Sequence, residues 1–293
     1  MNSASPLEYL AIGHISVDVT PDGPMLGGTV LYGALTAARF GARAAILTRG
    51  NLDALSADLR AQLDEIAGQV EIVVQSSRRN TSFTNLEQTG RRTQQLHSWA
   101  GEIDLSGAPP AWRSADVIHL APIAQEIDIR STGRLSAGLL GCTPQGWMRS
   151  WDARRFGAVR STPLRLPTDL LARIDAMVVS SEEYANARDA VESVGRRALA
   201  VVTRGQQGAM LMDRGASSDL SPFATKIVDS TGAGDVFAAA LFLMRARRES
   251  TSRSARYAAA AAGLSVQGYG LDAIPTIEDV EEMLGVQSSD FPG

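Results

Sequence analysis

The chain has 293 residues, enough for one large α/β core or two small ones. Its 28 basic and 32 acidic residues leave a formal charge of −4, which excludes the broad positive field that holds a nucleic-acid backbone. A single cysteine, Cys142, excludes an internal disulfide framework and any multi-cysteine metal site, and fits a buried structural thiol. No apolar stretch approaches the ~20 residues that span a bilayer, and Met1–Gly13 lacks the basic region that opens a secretory signal. A soluble, cytoplasmic protein without nucleic-acid or membrane partners is expected.

In chain order, short apolar runs alternate with helical stretches. Tyr9–Ile12, Ala44–Leu47, Val70–Val74, Val117–Leu120, Ala176–Val179 and Leu199–Thr203 are compact runs, several of them continuous rather than alternating. Such runs suit strands covered on both faces. Between them lie Val30–Phe40, Ser56–Ile66, Thr168–Arg173 and Glu182–Arg197, which show helical spacing or charged helical faces. This rhythm predicts an α/β fold with a doubly wound, mostly parallel sheet flanked by helices. Ile15–Met25 and Ser82–Trp99 interrupt it with polar, alternating segments turned at Pro-Asp-Gly and Thr-Gly. They read either as a small flap over the carboxyl edge of the sheet or as two surface hairpins. Ser288–Gly293 reads as a loose tail.

The densest chemical signal is Val228-Asp229-Ser230-Thr231-Gly232-Ala233-Gly234-Asp235. Lys226–Asp229 reads as a strand end and Ala233–Arg248 as a long helix, with Phe237, Ala240, Leu241 and Met244 on one apolar face. Two glycines separated only by alanine leave backbone N–H groups exposed at a helix start, where an anion is favoured. Asp235 in the first helical turn is placed to accept the proton of an attacking hydroxyl. The bare spacing also fits a tight turn whose acid merely favours the positive helix end. A dinucleotide fingerprint is excluded because its third glycine would fall on Phe237, and no Walker A run occurs.

VDSTGAGDVFAAAL closely resembles the C-terminal signature of the ribokinase/PfkB family of carbohydrate kinases, D-[ST]-x-G-A-G-D. Other features follow in that family's order: GHISVD at Gly13–Asp18, the diglycine Gly27-Gly28, the turn Val202–Ala209, and Ala259–Val266 followed by Gly268, Gly270 and Ile274-Pro275-Thr276. The resemblance implies a single ribokinase-like domain over residues 1–293, with a small β lid at about 15–26 and 82–99. It implies an ATP-dependent kinase of a small sugar or polyol, with magnesium and room for a monovalent cation. Asp235 would be the general base, and the N–H groups of Gly232, Ala233 and Gly234 the anion hole. Asp18, Gly27, Gly28, Asn85 and Arg149 would face the acceptor. Thr203, Gly205, Gly208, Thr231 and Ala262 would line the nucleotide groove. Asp229 would shape the turn near a metal ion. Because lids of this family can pair between subunits, the resemblance leaves room for a homodimer.

Two positions depart from the pattern. Where the family commonly has N-x-x-E to organise magnesium and its waters, the chain has Ser180-Ser181-Glu182-Glu183: Glu183 matches the acid, which by the resemblance would act through water, and Ser180 replaces asparagine. Tyr32 stands where related sugar kinases often carry asparagine, which argues against ribose. Gln145-Gly146-Trp147-Met148-Arg149 and Glu126 resemble an inositol-kinase-like subgroup. Trp147 reads as core packing, Arg92 as a lid residue, and His14, His97 and His119 as structural histidines without metal-ligand spacing. Two further readings stay open: a nucleoside kinase of the same fold, and a non-catalytic ligand sensor on a kinase scaffold.

Overall fold

Every residue of β1 (Tyr9–Ile12) is buried. Both faces of the strand are covered, which is why the run shows no alternation. The computed structural model of the chain describes residues 6–21, 23–88 and 91–285. The expected tail Ser288–Gly293, the Thr89-Gly90 turn, Asp22 and the Arg92 side chain lie outside the described residues.

Beyond β1 the chain forms β2 (Ser16–Thr20), β3 (Gly23–Gly27), α1 (Thr29–Arg39), β4 (Ala44–Gly50), α2 (Ala57–Ala67), β5 (Glu71–Ser76), β6 (Thr81–Gln88) and β7 (Arg91–Ser98). Next come β8 (Val117–Leu120), β9 (Leu139–Cys142), β10 (Arg149–Ser150), β11 (Gly157–Ala158), β12 (Arg160–Ser161), α3 (Thr168–Leu171), β13 (Ala176–Ser180) and α4 (Ser181–Arg197). The chain continues with β14 (Leu199–Thr203), β15 (Ala209–Asp213), β16 (Ala216–Leu220), α5 (Ala233–Ala246), α6 (Thr251–Ser265) and α7 (Ile277–Met283). No helix among the described residues is long and apolar enough to cross a membrane.

A nine-stranded sheet has the order β16-β15-β14-β13-β9-β8-β1-β4-β5. Its strands run parallel from β5 to β14, and β15 and β16 add an antiparallel edge. The expected doubly wound α/β architecture is therefore borne out. Along β1, Tyr9 and Ala11 join the apolar layer that contains α1, α5 and α6, whereas Leu10 and Ile12 join the layer that contains α4. On α4, Ala187, Ala190, Val191 and Val194 recur at helical spacing and are the buried face.

Several features differ from the sequence expectation, the short β10–β12 pair among them. β9 and the β15–β16 hairpin are additional strands. Lys226–Asp229 forms no strand: the Val228 and Asp229 N–H groups donate to the Val266 carbonyl at 2.7 and 3.2 Å. The end of α6 satisfies that backbone in place of a ladder.

A second sheet, β11-β7-β6-β2-β3, stands apart from the first. Both interrupting segments contribute to it, and β11 supplies a fifth strand that the sequence does not announce. Phe83 and Leu96 pack beneath it with Ile123 and Ala124. The crossings between the sheets are pinned by buried polar groups. The His14 N–H, just after β1, donates to Glu126 Oε1 at 2.9 Å. The Ile123 N–H reaches the same carboxylate at 2.9 and 3.1 Å, and the Ala124 N–H donates to Oε2 at 2.6 Å. Thr81 Oγ1, at the start of β6, accepts from the Ala100 N–H at 3.0 Å and pairs with His14 Nδ1 at 2.7 Å. Burial holds the His14 imidazole below its ordinary pKa, against the opposing pull of Glu126.

Glu126 is fully buried and accepts only from backbone N–H groups in these contacts. Glu126→Gln turns an amide NH2 toward at least one of those donors, so a loss of about 3 kcal/mol in unfolding free energy is expected in denaturant titration. A change within experimental error would show that the carboxylate is not what pins the crossing. Phe242 on α5 is also fully buried, edge-on to His119 at a centroid distance of 5.0 Å. Phe242→Ala should cost about 3–5 kcal/mol by the same measurement, through lost burial and the cavity left behind.

Candidate active site

The neighbours of β1 in the large sheet are β4 on one side and β8 on the other. Such a strand marks the point where the winding reverses, and the crevice at its carboxyl end is the usual ligand position in an open α/β sheet.

The acceptor side begins immediately after β1. Ser16 Oγ donates to Asp18 Oδ1 at 3.0 Å. Asp18 lies so close over Gly27 that a Cβ there would come within 2.8 Å of Asp18 Oδ2. Gly28 has φ +101°, and a Cβ on it would meet the His14 carbonyl oxygen at 2.4 Å. No other residue fits that approach. Gly28 is also the N-cap of α1. Thr29 Oγ1 accepts from Gln145 Nε2 at 2.8 Å, and Gln145 Oε1 accepts from Arg149 at 2.7 Å. Arg149 also donates to the Ile123 carbonyl at 2.7 Å, and its guanidinium lies over the Phe83 ring at 5.5 Å. Arg149 thus joins the start of α1, the loop after β8 and the small sheet. Asn85 lies on that sheet and accepts from Gln94 Nε2 at 2.6 Å. Trp147 is buried and donates to the Ile127 carbonyl at 2.9 Å, as core packing requires.

The anion turn is held from outside by Asp229. Its Oδ1 accepts the Thr231 N–H at 2.9 Å, and its Oδ2 accepts the Gly270 N–H at 3.3 Å. This carboxylate clamps the turn to the loop after α6. Gly232 sits in the left-handed region with φ +78° and caps α5. The Asp235 and Val236 N–H groups both reach the Gly232 carbonyl at 2.9 Å, and the Ala233 N–H reaches back to Ser230 at 3.3 Å. A Cβ built on Gly234 would meet nothing within 4 Å, so open space faces this part of the turn. Asp235 follows in the first turn of α5 and is half-buried.

Tyr32, on the first turns of α1, joins the two halves. A Cβ on Gly232 would lie 2.2 Å from Tyr32 Cε1, so the ring rests directly on the glycine backbone. Burial raises the Tyr32 phenol above its ordinary pKa, reinforced by the fields of Asp235, Asp229 and Asp18. Beneath lies a buried chain in which Tyr9 Oη and His119 Nδ1 are 2.8 Å apart and His119 Nε2 and Thr143 Oγ1 are 2.8 Å apart. Burial pushes the His119 imidazole down to about 3, so it is neutral and structural.

The donor side follows β13 and β14 along the same sheet. Thr203 ends β14 and turns its hydroxyl toward the Val179 carbonyl at 3.4 Å. Gly205 opens a short 3-10 turn and Gly208 closes it with φ +80°. Ser180 caps α4: its hydroxyl accepts the Glu183 N–H at 3.3 Å, and Glu183 Oε2 accepts the Ser180 N–H at 2.8 Å. The departure Ser180…Glu183 is therefore a reciprocal capping box. Ala262 is half-buried on α6, one residue before Gly263, which packs against Phe223 and Thr225. Ile227, Val228 and Tyr269 are among the large apolar side chains left exposed near this end of α6. Among the described residues, no group of three or more His, Cys, Asp or Glu gathers to hold a metal ion.

The geometry thus brings Asp18, Gly27, Gly28, Thr231, Gly232, Ala233, Gly234, Asp229 and Asp235 around the N-termini of α1 and α5. Thr203, Gly205, Gly208 and Glu183 lie at the carboxyl ends of the strands farther along. It pairs Asn85 with its own strand partner and uses Arg149 as a bridge. Tyr32, which the sequence marks only as an argument against ribose, is the residue whose contact with the anion turn the sequence does not show.

The chain is similar to several known proteins. Residues 171–277 match the model of the pfkB family carbohydrate kinases. Over 99 residues the chain is 37% identical to inositol 3-kinase of Oryza sativa subsp. japonica, a match that covers 32% of this chain and 24% of that protein. The chain thus spans about a quarter of the length of that curated relative. A pyrophosphate-dependent kinase in the ribokinase family, complexed with a pyrophosphate analog and myo-inositol, superposes with a TM-score of 0.74 at 22% identity, covering 93% of this chain and 99% of the other. Ribokinase from Thermotoga maritima superposes with a TM-score of 0.72 at 19% identity, covering 96% and 100%. The chain has the ribokinase-like fold, and its residues 171–277 carry the pfkB carbohydrate-kinase match that the Asp229–Asp235 turn announces.

Proposed function

We propose that the protein transfers a phosphoryl group from ATP to a hydroxyl of a small sugar or polyol, an inositol-type ring being the leading acceptor. The observation that carries this reading is Asp235 directly behind an anion-binding turn, with Asp18 linked to the same turn through α1. The 37% identity with an inositol 3-kinase and the myo-inositol-bound neighbour support the acceptor class.

In this reading the acceptor sits under the small sheet, and Asp18 accepts hydrogen bonds from its hydroxyls. Asp235 takes the proton of the attacking hydroxyl as its oxygen forms the bond to the γ-phosphorus. The bond from that phosphorus to the β-phosphate oxygen breaks, and ADP leaves with the electron pair. The N–H groups of Gly232, Ala233 and Gly234 stabilise the charge on the transferring group, Gly232 and Gly234 more fully because Ala233 also faces Ser230. Thr203, Gly205, Gly208, Thr231 and Ala262 line the nucleotide path, and the exposed side chains of Ile227, Val228 and Tyr269 offer a base apolar surface. Magnesium, when bound, neutralises phosphate charge. Glu183 fits that role through a metal-bound water, since its Oε2 alone serves the helix cap. Asp229 keeps the turn closed, and a monovalent cation would belong beside that turn. Asn85 and Arg149 border the acceptor space. A homodimer formed through the small sheet fits the same reading.

The test is a screen of inositols, sugars and nucleosides for acceptor-dependent ADP release, with pyrophosphate as the alternative donor. Turnover of an inositol or sugar with ATP is expected. Turnover confined to nucleosides would move the acceptor class. Thermal stabilisation by a ligand without any turnover would favour the sensor. With the acceptor in hand, Asp235→Asn should lower kcat at least ~10²-fold with little change in ATP binding. Near-normal turnover in that variant would remove Asp235 from the role of base.

A further inference from the structure

Tyr32 is the polar group in the crevice that the reading above leaves unused. It is 4% exposed, in the first turns of α1; among the described residues its hydroxyl forms no hydrogen bond within the chain, and its oxygen is not one of the fully buried atoms left without a partner, so it keeps an accessible face. Its ring lies on Gly232: a Cβ there would meet Cε1 at 2.2 Å, Cδ1 at 2.3 Å and Cζ at 2.5 Å. The carbon that bears the hydroxyl is thus against the first residue of the anion turn. The space in front of Gly234, two residues on, is open.

We propose that Tyr32 is a catalytic hydrogen-bond donor that completes the anion hole, its hydroxyl donating to a non-bridging oxygen of the phosphoryl group in transit. This role rests on the phosphoryl-transfer reading. Three carboxylates, Asp235, Asp229 and Asp18, act on the phenol, and together with burial they keep it protonated. A cationic side chain at this position would form an ion pair with one of them. A neutral phenol stays available as a donor without neutralising the base. The backbone supplies the turn with N–H donors, and Tyr32 adds one from α1, the helix that the acceptor diglycine opens.

In the step itself Tyr32 keeps its proton. The acceptor oxygen forms the new bond to phosphorus, its proton passes to Asp235, and the bond to the departing ADP oxygen breaks with its electron pair. The hydrogen bond from the phenol acts together with those of the backbone N–H groups, holding the transferring group as its charge spreads over the equatorial oxygens. The role also explains the residue type. Phenylalanine would preserve the packing on Gly232, and asparagine would be too short to fill the contact, so a hydroxyl on a rigid ring serves both needs.

Tyr32→Phe separates donation from packing. Its melting temperature should match wild type, its Kd for ADP should stay within about twofold, and kcat should fall about 10- to 100-fold, with KM for ATP little changed. Aluminium fluoride, which mimics the transferring group, should tighten ADP binding to wild type, and the variant should lose a matching part of that gain. An unchanged kcat and an unchanged fluoride effect would overturn the role of Tyr32 and leave the kinase reading standing. A wild-type protein that phosphorylates no acceptor and gains nothing from aluminium fluoride would overturn both.

Discussion

The ring of Tyr32 rests on the backbone of Gly232, and through that contact two helices distant in sequence begin side by side. α1 opens at Gly28, whose φ of +101° lets the chain turn against the His14 carbonyl. α5 opens at Gly232, whose φ of +78° leaves the room that the ring fills. A side chain on either glycine would push the helices apart, and Asp18 and Asp235 with them. The pairing of an acceptor side with a phosphate side therefore depends on two positions where only hydrogen fits.

The rest of the crevice is arranged to keep that contact in place. Asp229 joins the turn to the loop after α6, and Arg39 at the end of α1 donates to the Leu271 and Asp272 carbonyls of the same loop at 3.3 Å. Glu126 gathers N–H groups from two chain segments at the carboxyl ends of β1 and β8. These are carboxylates and guanidinium groups spent on backbone partners rather than on one another. Such bonds are directional and lose much when one partner is removed, so they specify geometry more sharply than apolar packing does.

Much of the large sheet is legible in the sequence because strands covered on both faces must be apolar throughout, as Tyr9–Ile12 and Leu199–Thr203 are. β9 carries too little signal: it has four residues, and Gly141 is small because the Phe242 ring occupies the place of its side chain. The β15–β16 hairpin is mostly polar on its outer strand, so an edge and a loop look alike. Lys226–Asp229 has the composition of a strand, but its neighbour is the end of a helix, and the Val266 carbonyl takes its N–H groups. In the site, Ser180 and Glu183 read as an altered metal motif, while the local geometry uses them as a helix cap.

The sequence by itself determined the anion turn, the acid that follows it and the alternation that builds a parallel sheet. Those depend on residues near one another in the chain, where glycine conformation, helix polarity and hydrophobic period act locally. Only the tertiary structure decided what stands opposite the turn. Tyr32 and Gly232 are 200 positions apart, Glu126 and His14 more than a hundred, and no local preference encodes either contact. They exist because the two faces of the sheet had to be covered, and covering them brought these groups to one edge.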